Sequence, residues 1–472
     1  MELEVIKKLI RKYAPGHSKF VSNAAIAERY YNNDNDIHYR EDKEKAEEKG
    51  EAKVNPIRNA DNKIASGFYP LLVQQKSAYM FTAPPVFDVS NKKMNDIIVE
   101  TLGDAYTKNA KQLCVNASNA GIGWVHYWKD KNGKFRWAPV PSEQVIPVFS
   151  PHLDHELIAV MRAYKEYDET TGEPYEMYEY WNESECQAFR MRADDTGGKF
   201  LENYPMFIID PENGTMSDEY NHEMERVPFI PFPNNAGMVN DLIRIKQLID
   251  AYDKTYSGFM DDLEDIQQVI FVLTNYGGED LKQFVNDLKY AKAIKIDNMG
   301  SSDKSGVSTL TIEIPVEARE KMLEITRKAI FTMGQGVDPE QQGLNQTSGE
   351  AMKFVYSLLE LKAGNMETEF TLGFNELIRA ILRFHGLTAT KIIQTWTRTS
   401  IKNDSELVQM CVESDGIISR RTILLNHPFV ENADLEEKQL EEEEEKKAQR
   451  EREQLNIYGD KWGDGNDEKD KK

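Results

Sequence analysis

Residues able to do chemistry are scattered along this chain rather than gathered. His152 and His155, with Asp154 and Glu156, come nearest to a metal-ligand set, since imidazole and carboxylate are the usual zinc donors. They fall in a proline-flanked turn between strands, where no helix aligns them, and read as a solvated loop. A metal-dependent hydrolase built on the two histidines stands as one rival reading. Asp261, Asp262, Glu264 and Asp265 could supply paired carboxylates for acid–base work, but on an amphipathic helix they read as a wet face. Gly198-Lys199-Phe200 and Gly133-Lys134-Phe135 lack the hydroxyl and the preceding loop of a phosphate-binding P-loop. Gly334-Gln335-Gly336 follows a helix instead of a strand, and no G-x-S-x-G turn occurs. No catalytic site, metal or cofactor is expected.

The elements that would position any functional group centre on residues 338–384. Asp338 to Thr347 is a glutamine-rich loop without apolar periodicity. From Ser348 apolar side chains recur at Met352, Val355, Leu359, Ala363, Met366, Phe370, Phe374, Leu377, Ile381 and Phe384. Spacings of three and four put them on one stripe of a continuous helix. Thr347 or Ser348 can cap its start, and Gly386 stands where a C-terminal cap belongs. At 1.5 Å per residue such a helix is roughly 54 Å long, well beyond the usual three or four turns. Its stripe needs an equally long surface, from a helical bundle or from neighbouring subunits. A polar, nearly uncharged loop ahead of it can touch a moving polyanion without holding it.

The 472 residues allow two to four domains and a sizeable core. With 80 acidic and 58 basic residues the formal charge is −22. That argues against static wrapping of nucleic acid, whose affinity comes from Lys and Arg on phosphate, but leaves room for a surface past which DNA slides. Three scattered cysteines, Cys114, Cys186 and Cys411, suit a reducing cytoplasm and neither a disulfide framework nor a zinc site. The first residues lack the apolar core of a signal peptide, and no apolar run is long enough to cross a bilayer.

Along the chain, residues 1–55 read as polar and broken, with one short amphipathic helix at Val5, Ile6, Leu9, Ile10 and Tyr13. Helices are expected from Asn59 to Pro84, with Ile64, Phe68, Leu71, Leu72 and Ala78 inward, and from Met94 to Asn119. The period then switches to two. The segments 121–128 and 135–140 flank Asp130-Lys131-Asn132-Gly133, a hairpin signal. Strands follow at 157–164, 177–181, 186–191 and 206–209, closing at the proline-rich Val227 to Pro233. A long helix with an acidic face starts at Asn235. After it come a small αβ insertion (269–314), a helix opened by Pro315 that ends near Gly334, the polar loop and the longer helix. A strand at 392–399 and short helices lead to an acidic tail over 433–472, expected as a solvated helix fraying into disorder. The fold class is α+β.

Several local motifs occur in this order: Ala60-Asp-Asn-Lys-Ile64, Leu72-Val-Gln-Gln-Lys-Ser-Ala-Tyr79 followed by Pro84, Gly121-Ile-Gly-Trp-Val-His-Tyr127, and Val227-Pro-Phe-Ile-Pro-Phe-Pro-Asn-Asn235. Next come Leu248-Ile-Asp-Ala-Tyr-Asp253 running into Leu263-Glu-Asp-Ile266, and Gly336-Val-Asp-Pro339 followed by Ser348-Gly-Glu-Ala351. Together, over most of residues 20–430, the chain resembles the portal proteins of tailed bacteriophages, in the siphophage-type family of phages of Gram-positive bacteria. Each motif is weak alone and specific only in this order.

The resemblance implies a portal fold assembled as a homo-oligomeric ring of about twelve subunits around an axial channel. Residues 1–120 would be the helical part of the wing and 121–233 its β-rich part. Stem helices would occupy 234–268 and 315–334, flanking a clip at 269–314. The tunnel loop would be 335–348, the long wing helix 349–386 and the crown 387–432. Double-stranded DNA would pass Gln341, Gln342, Asn345, Gln346 and Thr347, whose amides and hydroxyl make replaceable hydrogen bonds, with Lys353 in reach of phosphate. Each of these has an ordinary alternative as an exposed loop residue or a solvated lysine. The clip, with Glu279, Asp280, Lys282, Asn286 and Lys289, would dock the terminase large subunit and later a head-completion adaptor. Further implied partners are the major capsid and scaffolding proteins. The implied place is the virion, at one capsid vertex, reached from the host cytoplasm during assembly, with no membrane. An intracellular coiled-coil scaffold without a channel is the second rival; it accounts for the helices and the acidic tail but not for the strands.

Overall fold

Apolar residues at helical spacing carry the first helix much further than the polar composition of residues 1–55 suggests. In the computed structural model, α1 is a single 29-residue helix, Leu3–Tyr31, that runs through Pro15. A proline inside a helix costs about 3 kcal/mol, so tertiary burial must hold both halves. Ile6 packs on a β-sheet with Ile146, Met161, Tyr178 and Phe189, while Ala27 and Tyr30 pack against Tyr69, Leu72 and Ile249. The expectation of one short helix in a broken chain is thereby corrected over Leu3–Tyr31.

The structure describes residues 3–41, 60–154, 156–168, 171–194, 200–210, 213–266, 270–274, 306–310, 315–340, 349–398, 404–430 and 433–459. Two units are present: Met1–Glu340 with Tyr356–Thr399, and Gln341–Val355 with Ser400–Lys472.

In the first unit, α2 is Phe68–Phe81, so the expected helix from Asn59 starts nine residues later. A short strand β1 (Val86–Asp88) follows. The single helix expected over 94–119 is two, α3 (Lys92–Leu102) and α4 (Tyr106–Ala120). They part at Gly103, whose φ of 70° suits glycine far better than other residues. The hairpin at Asp130–Gly133 is present, joining β2 (Ile122–Lys129) to β3 (Phe135–Val140), and β12 (Phe229–Pro233) lies on the other side of β2.

A six-stranded antiparallel sheet holds β4 (Val145–Phe149), β5 (Leu157–Tyr167), β6 (Pro174–Trp181), β7 (Glu185–Arg192), β8 (Glu202–Asn203) and β11 (Glu219–Asn221). Its spatial order is β11-β7-β6-β5-β4, with β8 on the same edge of β7 as β11. Strand β4 is absent from the expected strands; it contains Pro147, which is tolerated because β4 lies at the sheet edge. Between them, β9 (Phe207–Asp210) and β10 (Thr215–Ser217) pair alone. Trp124, Val160, Trp181, Cys186 and Phe229 fill the space between the two larger sheets.

The helix expected from Asn235 begins later, as α5 (Lys246–Ile266), after a 3₁₀ turn at Leu242–Arg244. Strands β13 (Ile270–Thr274) and β14 (Gly306–Leu310) pair antiparallel, and α6 (Val316–Met333) follows Pro315, which stands just before the helix. The longest helix, α7, spans Gly349–Phe384 in 36 residues. Its stripe is buried from Leu359 through Ala363, Met366, Phe370, Phe374 and Leu377 to Ile381. Past it, Leu387 N–H donates to Leu382 O and Gly386 takes φ 68°, the expected C-terminal cap. Strand β15 (Ile393–Thr395) then pairs with β1, placing Trp396 against Phe81 and Phe374.

The second unit holds α8 (Asp404–Glu413), α9 (Arg420–Asn426) and α10 (Ala433–Gly459). Ser419 caps α9, and Arg420 pairs with Glu444 on α10. The acidic tail is thus helical to Gly459, and its residues 460–472 lie outside the described ones.

A close approach fixes one helix residue. At Gly373 an added Cβ would lie 2.6 Å from the ring of Phe232, so β12 packs directly on the backbone of α7. Gly373→Ala should raise intrinsic helix propensity by about 1 kcal/mol yet destabilise the protein by about 1–3 kcal/mol through overpacking. The expected readout is a lower urea midpoint; an unchanged or higher one would contradict this packing.

Candidate functional site

Helix α5 carries a row of acceptors one turn apart, Asp253, Ser257 and Asp261, all buried. They receive the extended segment 60–66. Ser66 N–H and hydroxyl donate to Asp253, Ile64 N–H to the Ser257 hydroxyl (3.0 Å), and Asn62 N–H to Asp261 (2.6 Å). Asn35 also donates to Asp253 (2.6 Å). Asp262 is bound by Arg319 of α6, and Asp250 by Tyr30 and Lys246. The acidic face expected to be wet is therefore largely a docking face. Its carboxylates satisfy backbone donors of a segment with no sheet or helix of its own. Asp253 has its carboxyl raised by burial against these hydrogen bonds. Among the described acidic residues of this face, Glu264 stays exposed.

Further along, three elements meet at a buried charge knot. Lys76 of α2 reaches Asp241 at 2.6 Å and the side-chain oxygen of Asn234 at 2.8 Å. Lys362 of α7 reaches the same carboxylate at 3.2 Å and donates to Gly334 O at 2.9 Å. Asn234 returns a hydrogen bond to Asp241. Burial alone would raise the Asp241 carboxyl; the two lysines and Asn234 reverse this and hold it well below the usual carboxylate range. Burial lowers the Lys362 amine, against the pull of Asp241.

From this knot the chain 334–340 is clamped outward. Gly334 N–H donates to Ile330 O and Gly336 N–H to Phe331 O. Gln75 both accepts from Val337 N–H (3.0 Å) and donates to Val337 O (2.7 Å). Arg327 forks onto Asp338 (2.8 and 3.2 Å) and reaches Glu340. The approach to residues 341–348 is fixed to the body by side chains from α2, α6 and α7.

The expected DNA-facing residues Gln341, Gln342, Asn345, Gln346 and Thr347 lie outside the described residues, as do Glu279, Asp280, Lys282, Asn286 and Lys289. Lys353 is placed in the first turns of α7. Pairing of Ile270 with Leu310 and of Thr274 with Gly306 brings together the two ends of the segment 275–305. His152 sits in an exposed turn, its N–H on the Ser150 hydroxyl, and His155 is outside the described residues. Among the described residues no group of three or more His, Cys, Asp or Glu could hold a metal ion. Burial pushes the Cys114 thiol up to about 11 and Cys186 higher, so neither is a thiolate near neutral pH.

The sequence motifs assign no role to Gln75, Lys76, Asp241, Arg327 or Lys362. A signal existed for Lys76: it stands four residues from both Leu72 and Met80, a lysine on an apolar helix face.

Removing Asp241 leaves two buried ammonium groups without their carboxylate. Asp241→Asn should destabilise by about 3–5 kcal/mol, read as a drop in urea midpoint. The folded pKa of Asp241 lies below its unfolded one. Its stabilisation is thus full above about pH 4 and is lost as pH falls below that. Wild type should lose stability on acidification more steeply than Asp241→Asn; parallel pH profiles would contradict the knot.

Residues 10–450 match the family model described as phage portal protein, SPP1 Gp6-like. The chain is 38% identical over 463 residues to the portal protein of Clostridium phage phiCD119, covering 95% of this chain and 97% of that protein. It is 31% identical over 453 residues to the portal protein of Bacillus phage SPP1, covering 94% of this chain and 87% of that one. With a match of this extent laid over an α+β body of long helices and antiparallel sheets, the chain belongs to the SPP1 Gp6-like family of phage portal proteins.

Proposed function

We propose that about twelve copies of this protein close into a ring at one capsid vertex, leaving an axial channel for double-stranded DNA. The genome enters through it during packaging and leaves through it on ejection. The terminase large subunit docks on the segment 269–314, with Glu279, Asp280, Lys282, Asn286 and Lys289 as candidate contacts, and hydrolyses ATP there. A head-completion adaptor replaces it, and capsid and scaffolding proteins receive the ring in the host cytoplasm before it becomes part of the virion. The protein itself is a conduit and a dock rather than an enzyme.

The observation that carries this reading is the clamp on 334–340. A loop that must brush a passing duplex needs a base that does not yield, and Gln75, Arg327 and Lys362 supply one. Beyond it, Gln341, Gln342, Asn345, Gln346 and Thr347 offer neutral hydrogen bonds that exchange with water, avoiding the salt-sensitive grip of cations on phosphate. Exposed apolar residues on two helices support neighbours in a ring: Met322, Ile325 and Met333 on α6, and Leu361 and Leu372 on α7. A coiled-coil scaffold leaves the two larger sheets without a purpose. Among the described residues no helix is long and apolar enough to cross a membrane.

Electron micrographs and native mass spectrometry of the purified protein should give annular particles of about twelve copies; a dimer or trimer at every concentration would refute the ring. Deleting 341–346, while keeping Glu340 on Arg327, should leave ring formation intact and slow DNA filling of heads by at least about tenfold in rate. Normal filling by that variant would remove the loop's role.

A further inference from the structure

The buried knot is not neutral. Lys76 and Lys362 share the single carboxylate of Asp241, at 2.6 and 3.2 Å. On the outer side of this surplus lies a cavity of about 40 Å³ whose walls include Asp241, Arg244, Gln335, Lys362 and Asn365. Arg244 and Asn365 are exposed, and among the described residues neither they nor the Gln335 side chain has a hydrogen-bond or ion-pair partner. Gln335 holds a left-handed backbone, φ 54°, and so does Met238, φ 51°, beside the wall residue Val239. Non-glycine residues in that region cost energy and gather at binding sites. The cavity thus gathers a cationic surplus, an unpaired guanidinium and unused amide donors in one place.

We propose that this cavity binds one oxyanion group, and that in the assembled ring the group is an Asp or Glu carboxylate inserted from a second copy of the chain. The second half rests on the ring reading above. The size decides against a nucleic-acid duplex, which is far too wide for a pocket of about 40 Å³, whereas a carboxylate enters it. The chain supplies the donor in abundance, with 80 acidic residues against 58 basic. A guanidinium fork beside an ammonium is the usual cradle for such a group. Because Lys362 also holds Gly334, occupation of the cavity would tie the neighbour to the base of the 334–340 segment. The base would be firmest only once the ring has closed.

The test uses inorganic phosphate as probe, at ionic strength matched with chloride, on wild type and Arg244→Gln. Each is followed by thermal unfolding as dissociated subunits and as assembled ring. Phosphate should raise the Tm of wild-type subunits by about 2–4 °C and that of Arg244→Gln subunits by less than half as much. The wild-type ring should give no phosphate response, its site being filled. Arg244→Gln should need about tenfold more protein to form rings, a loss of about 1.4 kcal/mol. Equal phosphate responses in both subunits would overturn the oxyanion site. A phosphate response of the wild-type ring that Arg244→Gln abolishes would overturn the neighbour's carboxylate in favour of a free anion. If wild type forms no ring at all, the ring reading fails, while the subunit comparison still decides whether the cavity takes an oxyanion.

Discussion

A carboxylate held between two buried lysines sets the terms for the rest of this body. Asp241 stands in the loop that leads out of β12, Lys76 lies on α2 and Lys362 on α7, so three elements far apart in sequence share one electrostatic contact. Desolvating three charges is expensive, and the attraction between them repays it only in a tight geometry with the remaining donors used. Asn234 and Gly334 O use them. An apolar replacement of matched volume could hold the helices as firmly. Charge, however, ties α7 to the loop and to the end of α6 at once, because Lys362 contacts both Asp241 and Gly334 O.

The same economy of buried polar groups recurs along α5. Asp253, Ser257 and Asp261 accept from the backbone of 62–66, making a surface that binds a strap of chain without pairing it as a strand. A separate core beside α7 is aromatic: Phe81, Phe87, Phe232 and Trp396 pack ring on ring with Phe370 and Phe374 of that helix. On the proposed reading, a stiff subunit is what a ring needs if a polymer under force is to pass its centre while only the loop gives way.

Much of this was legible in the sequence, and the reason is periodicity. The stripe of α7, the turn chemistry of Asp130–Gly133 and the glycine cap at Gly386 are local signals that the fold obeys. The misreadings share a cause too. Pro15 should break α1, but burial of Ile6 at one end and of Tyr30 at the other outweighs it. Asp261 reads as a solvent-facing acid because its partner is a backbone amide far earlier in the chain, Asn62 N–H (separation 199), which no local pattern reveals. Lys76, Asp241 and Lys362 were invisible as a set for the same reason. The polar loop was singled out by its composition, whereas the residues that steady its base were not.

Residues 334–337 belong to the rigid body, held by hydrogen bonds to Ile330, Phe331 and Gln75. Hydrogen exchange at the amides of Gly334, Gly336 and Val337 tests it most directly, since each donates to a partner in or beside α2 and α6. The account predicts exchange as slow as that of the buried turns of α7, through opening of the whole unit. Exchange of these three amides at the rate of unprotected chain, while α7 stays protected, would contradict it.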